Sequence, residues 1–172
     1  MSPQTVLVLI VTLVCAYTDW RHSTVYNSLT YPAALVGLFL SFIIVPPDPW
    51  GSFAGFAAAL LCFGVLWYVG GMGAGDVKLL AAVGALKGLP FVLYSSIYVL
   101  FIASLAGIVI LALTGRLWRT IRWIFFTLIS LFVPGMSPPA LTEKTYIPFA
   151  PFIFLGTTTA ICLEYLYGPY TF

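Results

Sequence analysis

Long uncharged apolar intervals follow one another along almost the whole chain, and single charged residues or short charged groups separate them. Each interval is close to or longer than the roughly 17–25 residues with which a helix crosses about 30 Å of hydrocarbon. The six intervals are 1–18, 23–47, 49–75, 88–115, 123–142 and 145–163. Their apolar residues are continuous instead of alternating in short segments, which favours helices over a transmembrane β-barrel. The sequence therefore predicts an all-α, polytopic transmembrane helical bundle.

Prolines and glycines divide these intervals into about six predicted spans. The proline cluster at residues 46–49 marks a sharp loop, because proline has no amide donor and restricts the residue before it. The glycine-rich stretch 70–75 marks a helix break. The predicted spans are 3–18, 27–45, 50–70, 76–89, 91–113 and 147–167. The first one lacks a positive n-region and a small-residue cleavage site, so we expect it to be retained as a span.

A basic amphipathic helix is predicted before the last span. Arg116, Arg119 and Arg122 recur at three-residue spacing and alternate with apolar residues, so one helical face is basic and the opposite face apolar. Such a helix is suited to the headgroup plane of a bilayer. The apolar run Trp123–Val133 is only about half a span. We expect this run to continue the interfacial helix or to form a re-entrant piece.

The basic residues predict an orientation. With the N-terminus outside, only Lys87 lies towards the outer side, which fits the positive-inside rule. The inner loops then carry Arg21, Lys78, Arg116, Arg119, Arg122 and Lys144. We therefore expect a multi-pass protein of the inner (cytoplasmic) membrane, with the amphipathic helix on the cytoplasmic side. Asp19 and Asp76 would lie at the cytoplasmic ends of their spans.

Composition narrows the classes of function. Hydrophobic residues make up 62% of the chain and charged residues 7%, whereas soluble chains are about 45–50% apolar. We expect one integral membrane domain over residues 1–172, with the lipid bilayer as a partner. A net charge of +2 and the lack of a basic tail argue against nucleic acid. The three cysteines are isolated, so no zinc cluster or redox motif is indicated, and we expect neither a metal nor a cofactor.

Asp19 and Asp76 are the two carboxylates that interrupt apolar runs most abruptly. An ionisable residue at membrane depth is a functional-site hypothesis by default. Two carboxylates close together cannot both ionise cheaply, so one can hold a proton while the other activates a water. Gly73 and Gly75, just before Asp76, allow a substrate chain to approach the backbone closely. From charge and spacing alone, helix capping or interface anchoring by both aspartates stays open.

Three segments carry more specific motifs. Residues Gly73–Ala85 fit the pattern G-x-G-D-x-K-L-x-A-x-x-G, and Asp19–Thr30 fit D-x-R followed by N-x-L-T, with Tyr26 in the place of a usual proline. Near the C-terminus, Ile147–Phe152 fits P-[FY]-[GA]-P. In this order and together, the segments resemble the type IV prepilin peptidases, membrane aspartyl proteases of the GxGD class.

The resemblance implies an aspartic-type endopeptidase. Its substrates would be prepilin-like precursors (type IV pilins or archaellins), each with a short basic leader and an apolar helix, cleaved at the cytoplasmic membrane face. The implied catalytic pair is Asp19 and Asp76, and the implied motif or substrate-positioning residues are Gly73, Gly75, Lys78, Arg21 and Asn27. Larger family members also carry paired C-x-x-C motifs and methylate the new N-terminus. This chain resembles the short form that serves Tad/Flp pili or archaeal preflagellins, so we expect no methyltransferase activity.

Two other functions remain open at this point. A small proton- or cation-coupled transporter would use Asp19 and Asp76 as ion sites, with the glycine break as a discontinuous helix. No convincing inverted repeat supports that reading. An inactive scaffold for pilus assembly is the other alternative, and the presence of both aspartates argues against it.

Overall fold

The computed structural model describes residues 2–43, 48–130 and 148–168, and within these residues the fold is all helical. The helices are α1 Pro3–His22, α2 Asn27–Ile43, α3 Pro49–Tyr68, α4 Ala74–Lys87, α5 Leu89–Leu113, α6 Leu117–Ser130 and α7 Ala150–Tyr167. The prediction of a helical membrane protein is confirmed.

Four of these helices, α1, α3, α5 and α7, are long and apolar enough to cross a membrane. Helix α2 is a shorter apolar helix. Helix α4 has 14 residues, which corresponds to a rise of about 21 Å, less than the roughly 30 Å of a hydrocarbon core. The predicted number of about six spans and the predicted orientation therefore stay predictions.

The chain divides into two compact units, Met1–Ile102 with Pro148–Phe172, and Ala103–Ile147. The prediction of a single domain stays a prediction. In the second unit, α6 runs without interruption from Leu117 to Ser130, so the predicted basic helix and the start of the apolar run form one helix. Residues 131–133 of that run lie outside the described residues, and so do Lys144 and Ile147.

The first unit is built around α4, whose residues from Leu79 to Leu86 are all buried. Helices α1, α2, α3 and α7 pack against it. Glycines allow the closest crossings: a Cβ at Gly55 of α3 would lie 2.6 Å from the carbonyl oxygen of Gly84 in α4. A Cβ at Gly37 of α2 would lie 2.8 Å from the backbone carbon of Ala85. Small residues at such crossings are typical of helix packing in membranes.

The predicted glycine break lies between α3 and α4, where it ends one helix and begins the next. Gly70 has a φ of 83°, and this left-handed conformation closes α3 in a Schellman motif. The amide of Gly70 donates to the carbonyl of Trp67 at 2.9 Å, and the amide of Gly71 donates to the carbonyl of Leu66 at 2.8 Å. The chain then enters α4 at Gly73, its N-cap residue.

Candidate active site

Asp19 lies in the last turn of α1 with its side chain directed into the protein, and it is only 1% exposed. Its Oδ2 accepts a hydrogen bond from the backbone amide of Ala150 at 3.0 Å. Ala150 is the first residue of α7, and the first amides of a helix have no partner within that helix. The positive end of the helix dipole also favours a carboxylate at this position. Asp19 therefore links the end of α1 to the beginning of α7.

The predicted first span, residues 3–18, stops short of the observed helix, which continues to His22. The extension has a physical reason. Asp19 lies one turn after the buried Cys15 and continues the buried face of α1, and the Ala150 amide satisfies its carboxylate there. Arg21 and His22, by contrast, are exposed.

Asp76 is the third residue of α4 and is 7% exposed. Its carboxylate turns back towards Gly73, whose backbone N–H interacts with it. A Cβ at Gly73 would lie 2.8 Å from Oδ2 of Asp76. Gly73 has a φ of −73°, so close approach of the carboxylate, and not an unusual backbone conformation, is the reason for a glycine there. Within the described part of the chain, Oδ1 of Asp76 is buried and has no hydrogen-bond partner.

The structure brings the two carboxylates into one buried region. Helix α1 packs against α4. Cys15, one turn before Asp19, belongs to the same apolar cluster as Val77, the residue after Asp76. The charge of Asp19 is near enough to act electrostatically on the carboxyl group of Asp76. Such a pair can share one proton and thereby provide an acid and a base at the same site.

The segment that follows Asp19 packs against the glycine motif. Ser23 caps α1 in a left-handed conformation, with a φ of 52°, and its amide donates to the carbonyl of Asp19 at 2.8 Å. The chain then leads to Val25, whose Cβ would lie 2.7 Å from a Cβ placed on Gly75. Gly75 is therefore required by the close contact between this loop and α4.

Lys78 and Asn27 also join the two motifs. Lys78 Nζ donates a hydrogen bond to Asn27 Oδ1 at 2.9 Å and lies 5.1 Å from the centroid of the Tyr31 ring. Sequence reasoning missed Tyr31, although its position four residues after Asn27 places both on one face of α2. Arg21 is exposed, and the structure does not bring it to the aspartates in the residues that it describes.

A second polar group lies where α4 and α7 end, away from the aspartates at the beginning of α4. Lys87 Nζ lies 2.8 Å from Glu164 Oε2 and donates to Thr5 Oγ1 at 3.3 Å. These residues line a groove of about 700 Å³. The sequence does not predict this ion pair, because the partners are 77 positions apart. Over the described ranges, no three His, Cys, Asp or Glu side chains form a group that could hold a metal ion.

The fold, together with the carboxylates of Asp19 and Asp76, defines a helical integral membrane protein with a buried pair of aspartates. The type IV leader peptidase family matches residues 6–112, which include both aspartates. The chain is also similar to a prepilin leader peptidase/N-methyltransferase of Xanthomonas campestris pv. campestris, with 31% identity over 147 residues. That match covers 80% of this chain and 42% of the relative's length. No solved structure matches the chain. The chain belongs to the type IV leader peptidase family, which confirms the resemblance seen in its motifs.

Proposed function

We propose that this chain is an aspartic-type endopeptidase that removes the short basic leader from prepilin-like precursors. Asp19 and Asp76 are its catalytic pair in this proposal. The observation that carries it is the burial of both carboxylates in one region, at 1% and 7% exposure, within a family of leader peptidases. Burying two neighbouring carboxylates is unfavourable for stability alone, and an acid–base role explains why both are there.

The contacts of the two aspartates suit different roles. The Ala150 amide donates to Asp19 Oδ2 at 3.0 Å, and in this proposal Asp19 serves as the base that activates water. Oδ1 of Asp76 is buried and has no donor among the described residues. Two neighbouring carboxylates do not both ionise readily, and in this proposal Asp76 carries the proton of the pair.

Hydrolysis then needs no covalent intermediate with the protein. Asp19 takes a proton from a water, and the water oxygen bonds to the carbonyl carbon of the scissile peptide. Asp76 donates a hydrogen bond to the oxygen that becomes negative. As the C–N bond breaks, the proton held by Asp19 passes to the leaving amine. The products are a leader with a new carboxyl group and a mature protein with a new amino group.

The same arrangement suits a substrate that is itself a membrane helix. Gly73 and Ala74 are exposed at the beginning of α4, directly beside Asp76, so an extended chain can reach the buried carboxylates from that end. A precursor with its apolar helix in the bilayer presents its basic leader at the membrane surface. We assign this end of the bundle to the cytoplasmic face of the inner membrane on the distribution of lysine and arginine. The methyltransferase activity in the relative's name is not part of the proposal.

Co-expression with a precursor pilin that carries a basic leader tests the proposal, with processing followed by gel mobility. Asp19→Asn and Asp76→Asn should each abolish processing, because each removes one carboxylate at nearly unchanged volume. Asp48→Asn is the matched control. Asp48 accepts from the Gly51 amide at 2.8 Å as the N-cap of α3, and asparagine caps equally well. Processing by either site variant at the wild-type level contradicts the assignment.

A further inference from the structure

We propose that Lys78, Asn27 and Tyr31 form a clasp that holds α2 against α4 and thereby sets the spacing of the two aspartates. These three are positioning residues and do not themselves contact the substrate. The inference rests on the proposed function, because the spacing matters only if the aspartates act as a pair. It gives Tyr31 a role that its sequence context does not suggest.

The clasp consists of two contacts made by one ammonium group. Lys78 Nζ donates to Asn27 Oδ1 at 2.9 Å and lies 5.1 Å from the centroid of the Tyr31 ring, within the range of a cation–π interaction. Asn27 is the first residue of α2, and Tyr31 lies one turn later. The first turn of α2 is therefore attached to the first turns of α4.

This attachment completes a series of contacts that leads from Asp19 through the loop 23–26 to α4. From Asp19 the chain turns at Ser23, whose amide donates to the Asp19 carbonyl at 2.8 Å. It then packs Val25 against Gly75 of α4 and reaches Asn27. Asn27 is bonded to Lys78, two residues after Asp76. Each aspartate is thus fixed to the same short loop, and the clasp anchors the far end of that loop.

The position of Lys78 argues against direct contact with a substrate at the aspartates. Residues two apart on a helix diverge by about 200°, so Lys78 and Asp76 point to different sides of α4. The Lys78 ammonium is directed at α2, where an amide oxygen and an aromatic face receive it. A lysine that bound substrate would instead be directed towards the open end near Gly73.

The test compares Lys78→Met, Asn27→Ala and the double variant, with kcat and KM for a precursor in vesicles and Tm for each protein. Each single variant should lower kcat about 10- to 100-fold at nearly constant KM, since a misplacement of about 1 Å can reduce a rate about 100-fold. The double variant should be no worse than either single variant, because both remove the same contact. Asn27→Asp, which keeps a hydrogen-bond acceptor at this position, should keep kcat near the wild-type value. Tyr31→Leu should lower kcat, while Tyr31→Phe, which keeps the ring, should lower it less.

Lys87→Met is the matched control, since it removes a lysine that ends the same helix and pairs with Glu164. It should lower Tm without changing kcat, which separates loss of stability from loss of spacing. The clasp is overturned if Lys78→Met raises KM at constant kcat. It is also overturned if the losses in log kcat of Lys78→Met and Asn27→Ala add in the double variant, or if Asn27→Asp is as slow as Asn27→Ala. If the wild-type chain cleaves no precursor, the proposed function fails. The Tm values then still test the clasp: a non-additive loss in the double variant supports it and an additive loss overturns it.

Discussion

Replacing Gly55 with alanine should loosen the crossing of α3 and α4. The new Cβ would lie 2.6 Å from the Gly84 carbonyl oxygen, 2.7 Å from the Gly88 carbonyl carbon and 2.8 Å from the Leu89 amide nitrogen. All three obstacles are backbone atoms, so no side chain can rotate away and the helices must separate. Overpacking of this kind costs about 1–3 kcal/mol. Because backbone is the obstacle, we expect about 3 kcal/mol.

Alanine also gains about 1 kcal/mol over glycine inside a helix, which leaves a net loss of about 2 kcal/mol. At about 2–4 °C per kcal/mol for a chain of this size, Tm should fall by about 4–8 °C. The assay is thermal unfolding of the purified protein in detergent, followed by circular dichroism.

Gly64→Ala provides a control on the same helix. No atom lies within 4 Å of a Cβ at Gly64, so only the gain in helix propensity of about 0.5–1 kcal/mol remains. Tm should rise slightly. An unchanged or higher Tm for Gly55→Ala, or equal effects of the two substitutions, would refute the close crossing of α3 and α4.

Two further predictions concern the opposite ends of α4. Gly75→Ala should lower the rate of precursor cleavage, because its Cβ would lie 2.7 Å from the Val25 Cβ. Val25→Gly in the same chain should restore cleavage. If it does not, this contact is not the cause of the loss. Lys87→Met or Glu164→Gln should each lower the free energy of unfolding by about 1–3 kcal/mol. This value lies between those of exposed and buried ion pairs, because the two side chains are 10% and 27% exposed. Replacing both by apolar residues should recover most of that loss. A loss in the double variant equal to the sum of the two single losses would contradict the pairing.

The apolar pattern predicted the helices because membrane helices satisfy their backbone hydrogen bonds internally, so long uncharged runs are enough to identify them. It predicted the ends less well. Asp19, Arg21 and His22 suggested that the first span stops at Thr18, yet α1 continues to His22. A contact with Ala150, 131 residues away in sequence, satisfies Asp19 inside the protein. No local pattern contains that information.

The candidate site was predictable to the extent that it is local. Gly73, Gly75 and Asp76 lie in one short motif, and their proximity follows from the sequence. The contact of Lys78 with Asn27 joins positions 51 residues apart and depends on how α2 packs against α4. The number of spans stays a prediction for another reason. Helix α4 is apolar because protein surrounds it, and burial in protein and burial in lipid favour the same residues.

The central claim is that Asp19 and Asp76 act together on a peptide bond. The most direct measurement is the rate at which the purified chain, reconstituted in vesicles, cleaves a precursor with a basic leader, compared among wild type, Asp19→Asn, Asp76→Asn and Asp48→Asn. Mass spectrometry of the products would identify the bond that is cut. The account predicts that the first two variants remain folded but lose about 100- to 10,000-fold or more in rate, as expected for loss of an acid–base group, and that Asp48→Asn cleaves like the wild type. Cleavage of the same bond at an undiminished rate by either Asp19→Asn or Asp76→Asn would contradict it.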